Sequence, residues 1–299
     1  MKTKLIVLFV VTNLLVALTV QAASRVLLRL NLQKGSTYEM TMISDNNIDQ
    51  EMSGQKMKIL QKVEMLSTCQ VLDILPDNNF LIEYSIQKMK INMNVNGKEM
   101  NSDSDSTGNN PMNGFLKDLS SLKMKIKLNS KGQVQEIEGL EEYAKKMSGN
   151  PQMSQSMKMF TDEKNFKSYF EQTFSYFPEN EIEVGSKWSS SMKMPALMNM
   201  DIVMNFEVAN ILNDQVLLNV VSNVNMETPM DVNGMKMNIK MAGTQTGTMA
   251  IALADGCVGS SDCIQKYDVN MKMKNPQSGE DMEIPMVMNS VIKSTVVRK

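Results

Sequence analysis

Alternation constrains this chain more than any other feature. From Lys88 to Val95 the sequence reads Lys-Met-Lys-Ile-Asn-Met-Asn-Val, and Leu122 to Leu128 and Met235 to Met241 alternate in the same way. A period of two sends one set of side chains to each side of an antiparallel sheet, which a helix cannot do. Turn chemistry separates the runs: Asp77-Asn78-Asn79, Asn96-Gly97, Ser130-Lys131-Gly132, Asn233-Gly234 and Asp255-Gly256.

The runs recur in order. Gly35-Ser36-Thr37-Tyr38 matches Gly185-Ser186-Lys187-Trp188, and each opens a methionine-containing strand. Gln70 to Ile82 corresponds to Asn210 to Leu218, and Val95-Asn96-Gly97 to Val232-Asn233-Gly234. A last hairpin, Met124 to Ile137, pairs with Met249 to Val269. Four landmarks in one order imply a duplicated module. Gly35, Tyr38, Gly185 and Trp188 are expected to be structural anchors, because each follows a turn and opens a strand. Between the halves the period changes: Leu140 to Met147 reads as a short helix. Thr161 then caps a second, whose Phe166, Tyr169, Phe170 and Phe174 share one face before Pro178. Residues 101–114, rich in Ser, Asp, Asn and Gly, read as a solvated loop.

The expected fold is therefore mainly β: two repeated curved antiparallel sheets or one large open β-barrel, with a short helical insert. Expected boundaries are a signal peptide over 1–23, a β repeat over 24–138, a helical insert over 139–178 and a second β repeat over 179–299. Lys2 and Lys4, the apolar run from Leu5 to Val20, and Val20-Gln21-Ala22 give the signal its n-region, h-region and cleavage site. That implies export to the periplasm or beyond, with no transmembrane segment in the mature chain. Losing Lys2 and Lys4 leaves 29 basic against 33 acidic residues, so nucleic acid is not an expected partner.

The chain has no histidine, which removes Ser–His and Cys–His nucleophile pairs and imidazole metal ligands. Ser53/Lys56 and Ser120/Lys123 have a Ser-x-x-Lys spacing but no strand-to-buried-helix context. Asp103-Ser-Asp105-Ser-Thr107-Gly108 resembles the start of a calcium loop, yet Gly114 stands where the bidentate Glu is needed. No enzyme, cofactor or metal site is expected. Cys257 and Cys263 bracket a polar segment, and an exported chain would join them in a local disulfide; Cys69 is left buried and inert.

Methionine occurs 31 times. It can stand in for Leu or Ile in an ordinary core, line a deformable apolar surface, or bind soft metal. The Met-x-Met pairs Met192/Met194, Met198/Met200, Met235/Met237 and Met271/Met273 carry the Cu(I)/Ag(I) alternative. The candidate ligand-binding set is Met89, Met93, Met192, Met194, Met200, Met204, Met235 and Met237, on a methionine-lined concave side that takes a lipid or other hydrophobic ligand. The alternative is a structural or interaction protein of the cell envelope, binding an envelope partner, with an ordinary methionine-rich core.

The stretch from Phe177-Pro178 to Val184-Gly185-Ser186-Lys187-Trp188 resembles the Pro…Val-Gly-x-x-Trp strand opening of an uncharacterised family of secreted bacterial proteins. Lys34-Gly35-Ser36-Thr37-Tyr38 and the Ser130-Lys131-Gly132 turn are similar to it as well. At the level of fold, such chains resemble the open β-barrels that carry lipoproteins or lipids across the periplasm.

Overall fold

A computed structural model describes residues 25–52, 54–108, 110–142, 163–174, 176–194, 200–232, 235–274 and 281–299. Twelve strands form one antiparallel sheet. They are β1 (Thr37–Met52), β2 (Gln55–Ile74), β3 (Phe80–Val95), β4 (Lys98–Asp103), β5 (Lys123–Leu128) and β6 (Val134–Glu138). The second half supplies β7 (Lys187–Met194), β8 (Met200–Ile211), β9 (Gln215–Val232), β10 (Met235–Ala252), β11 (Val258–Lys274) and β12 (Asp281–Arg298). Two helices are described, α1 (Pro111–Ser120) and α2 (Glu163–Gln172).

The sheet order is β6-β5-β3-β2-β1-β12-β11-β10-β9-β8-β7, with β4 beside β3. Neighbours succeed one another alike in both halves. β4 and β5 pair with the two ends of β3, just as the single strand β10 pairs with the whole of β9. α1 is thus an insertion into what is one strand in the second half. β12 fills the seam, pairing with β11 on one side and β1 on the other.

Two of the buried apolar clusters among the described residues lie at one end of the sheet. In the first half Tyr38, Val71, Ile82 and Ile126 pack with Leu116 and Leu119 of α1 and with Phe166 and Phe170 of α2. In the second, Phe206, Val208, Leu218 and Ile251 pack with Leu28, Tyr176 and Ile182. Phe174 and Phe177 touch both clusters, and Leu28, Leu30 and Leu32 run from one to the other. α2 contacts β6 and β7, the two edge strands, so at this end the sheet curls around it. The aromatic stripe explains why: Phe166 stacks on Phe170 at 6.2 Å, Phe174 tilts against Phe170 at 5.8 Å, and Phe170 meets Tyr84 edge-on at 5.7 Å. The Glu171 carboxylate also accepts the backbone N–H of Val134 at 2.7 Å, satisfying part of the β6 edge.

Two sequence expectations change. Residues 101–114 are not all loop. They hold the end of β4 and the start of α1, where the Asn110 side chain accepts the Met112 N–H and Pro111 occupies the first turn. The Cys257–Cys263 disulfide is absent, and Cys69, Cys257 and Cys263 are all free. The segment between the pair is no turn: β11 begins at Val258, so five strand residues lie between the two cysteines and six rises of about 3.3 Å put their Cα atoms about 20 Å apart, far beyond the roughly 7 Å limit. The helix expected over Leu140 to Met147 is helical at 140–142 and otherwise lies outside the described residues.

Candidate functional site

Residues directly opposite in an antiparallel ladder point to the same side of a sheet, so the registers sort the side chains. Met42 stands opposite Met65, and Met65 opposite Met89. In the other half Met241 faces Met226, and Met237 faces Met273. On that side Met226, Met237, Met241, Met271, Met286 and Met288 pack around Val224, Ile239, Tyr267 and Val269.

The opposite side carries the charges. Lys62 pairs with Glu64 at 2.7 Å, Lys272 with Glu283 at 2.6 Å and Lys90 with Asp103 at 3.2 Å. Among the described strand side chains, the charged ones on the methionine side are Arg298 and Lys98, both at strand ends. Everything between them on that side is uncharged.

Of the candidate binding residues, Met89 and Met93 lie on β3 opposite Met65 and Gln61, Met204 on β8 opposite Ser222, and Met237 on β10 opposite Met273. Met192, Met194, Met200 and Met235 belong to β7, β8 and β10, with side chains outside the described set. Met198 lies outside the described residues altogether. Two open troughs, of about 620 and 720 Å³, are lined chiefly from the lysine side. The first is bordered by Asp45, Leu60, Lys62, Ile264 and Lys266, and the second by Lys58, Lys240, Asp268, Asn270 and Val287. Among the described members of the candidate set, Met93 alone touches either trough.

The anchors share one geometry. The N–H of Gly35 donates to the Val71 carbonyl at 2.9 Å, and the Val71 N–H donates back to Ser36 at 2.9 Å. Gly185, Val208 and Ser186 repeat both bonds at the same lengths. Gly35 and Gly185 have φ of 85° and 84°, a conformation that favours glycine. Tyr38 is buried opposite Cys69, while Trp188 stacks on Phe206 and donates its indole N–H to the Tyr176 carbonyl at 3.1 Å.

Nucleophilic chemistry has little footing among the described residues. The Ser120 hydroxyl donates to the Lys117 carbonyl, and Lys123 pairs with Glu83 at 2.8 Å, so this Ser and Lys do not form a dyad. Burial pushes the Cys69 thiol up to about 12. Cys257 is raised by burial and then by the Asp255 carboxylate, and Cys263 by burial. Thiolates, the reactive form, are disfavoured at all three. Of the two calcium-like carboxylates, Asp103 pairs with Lys90 and Asp105 with Lys88. No cluster of three His, Cys, Asp or Glu suited to a metal occurs among the described residues.

Residues 77–258 match a family model described as "Family of unknown function (DUF6263)". No curated protein matches the chain. Among solved structures, lipovitellin, studied for its lipid–protein interactions, aligns with a TM-score of 0.50 and 10% identity over 89% of this chain and 25% of that chain. The present chain thus spans about a quarter of the lipovitellin chain, and the likeness is one of fold. OccK7 of Pseudomonas aeruginosa aligns at TM-score 0.25 and 5% identity, over 88% of this chain and 100% of that one. An outer membrane channel of Pseudomonas putida F1 aligns at 0.24 and 9%, over 90% and 97%. Scores that low carry no argument.

Proposed function

The chain belongs to this family of unknown function, and we propose that it is an exported, non-catalytic protein that binds a lipid or other apolar ligand on the methionine-bearing side of its sheet. One observation carries the reading: long ladders segregate methionine from lysine, leaving a side without charge between the strand ends among the described side chains. That side is many strands wide, and its methionines at Met226, Met237, Met241, Met271, Met286 and Met288 are only partly buried. Thioether side chains suit it to acyl chains of varied shape, because they change rotamer at little cost and remain polarisable. Lipovitellin, similar in fold, is a protein whose lipid interactions have been studied, which agrees with this direction. The charged residues at Lys2 and Lys4, followed by the apolar run, support export to the periplasm or outside the cell.

Native mass spectrometry of protein purified from its own host tests the reading, together with titration by the uncharged fluorophore N-phenyl-1-naphthylamine. Co-purifying lipid and saturable fluorescence enhancement are expected. Met237→Lys, which places an ammonium on the methionine side, is expected to weaken fluorophore binding about tenfold or more. A protein that carries no lipid and gives no enhancement ends the proposal in favour of an envelope protein with an ordinary core.

A further inference from the structure

One level of the methionine side is not apolar. Gln61 stands opposite Asn46, Asn46 opposite Ser290, Ser290 opposite Gln265, Gln265 opposite Gln245, and Gln245 opposite Ser222. Each of six adjacent strands, from β2 through β1, β12, β11 and β10 to β9, gives one residue to this row. At about 4.8 Å per strand it runs roughly 24 Å across the sheet. Two positions further along the strands, one flank is Ile59, Ile48, Met288, Tyr267, Gly243 and Val224, and the other is Val63, Ser44, Ile292, Cys263, Gly247 and Val220.

The row is partly satisfied from within. Asn46 donates its amide to the Gln61 carbonyl at 3.4 Å, Gln265 to the Gln245 carbonyl at 3.0 Å, and the Ser44 hydroxyl to Asn46 at 3.2 Å. Two members have no partner. The hydroxyls of Ser222 and Ser290 are unbonded, and their residues are 0% and 3% exposed. Native proteins rarely leave a buried hydroxyl unpaired, because it has lost water without replacement. Hydroxyls and amides both donate and accept, and none of the six residues is charged.

We infer that this row receives the uncharged polar head of an amphiphile, a hydroxyl, ester or amide group, while its chain lies along the adjoining methionines. The inference rests on the binding reading above and narrows its substrate class. A carboxylate or ammonium head would enter a side with no opposing charge near the row and is disfavoured. A pure hydrocarbon would leave the row's donors and acceptors covered and unpaired.

The test displaces N-phenyl-1-naphthylamine from the full chain with 1-monooleoylglycerol and, separately, with oleate at pH 9.5. The glyceride is expected to displace the fluorophore at a concentration about tenfold lower than oleate. Gln61→Leu with Gln265→Leu is expected to raise the glyceride concentration needed by about tenfold once displacement is referred to that variant's own fluorophore affinity. Ser222→Ala with Ser290→Ala, which adds no bulk, guards against misfolding and is expected to move the glyceride in the same direction. Equal displacement by oleate and glyceride overturns the inference, as does unchanged glyceride affinity in both variants with native circular dichroism. Failure of the unaltered protein to bind the fluorophore overturns the broader reading and this one with it.

Discussion

At the scale of single residues, environment decides what a side chain can do. Cys69 shows this most simply: the sequence placed it as buried and inert, and its thiol rises to about 12 because burial penalises the thiolate. A raised acid is held neutral in the fold. Its stabilising contribution is complete below the ordinary thiol range near 9 and is lost only as pH climbs through about 12. At pH 8 we therefore expect iodoacetamide to leave Cys69 and Cys257 unlabelled in the folded protein and to label both in guanidinium, as read by mass spectrometry. Rapid native labelling of either would contradict the burial described. Cys263 illustrates the opposite lesson. Cysteine spacing suggested a stapled loop, but Val258–Lys274 is strand, and spacing alone does not reveal whether a polar segment turns or extends.

At the scale of elements, α2 does what its aromatic stripe implied and something the stripe could not show. Its phenylalanines bury in the first-half core, while the helix also touches both sheet edges. Phe170 lies 8% exposed between Phe166, Phe174 and Tyr84. Phe170→Ala is expected to cost about 3–5 kcal/mol, measured by urea unfolding, because it removes the ring and leaves a void between sheet and helix. A loss below about 1 kcal/mol would mean that α2 does not hold the curled end. The exposed Lys62–Glu64 pair is a useful contrast, since water screens both charges and the pair holds little of the fold. α1 was hidden in the sequence by its polar surroundings, although Asn110-Pro111 is a readable cap signal, with Leu116 and Leu119 three apart on one face.

At the scale of the whole molecule, β12 joins halves that are otherwise far apart in the chain. It pairs with β1 from Tyr38–Arg298 to Gln50–Met286, and with β11 from Ser260–Thr295 to Lys274–Asp281. Ending the chain after Lys274 would strip both ladders and expose two long edges, which invite aggregation. We expect that truncation to abolish cooperative thermal unfolding and to give soluble aggregates in size-exclusion chromatography. A monomer with an unchanged melting transition would show that each half stands alone and that the seam is dispensable. The single continuous sheet was one of two architectures the sequence allowed, and β12 is what selects it.

Sequence alone determined the β class, most of the hairpin turns and the separation of methionine from lysine, because alternation is a property of each strand by itself. It also gave the two anchor turns, since Gly35 and Gly185 hold a backbone conformation that few other residues adopt. Tertiary structure decided what lies beside what. Asn46 meets Ser290 across 244 positions of sequence, and nothing local to either predicts that both fall on one level with Gln61, Gln265, Gln245 and Ser222. Register is fixed by strand pairing, and a slip of one residue would send every such side chain to the other face. The composition of each side was therefore written in the strands, and the polar row exists only in the assembled sheet.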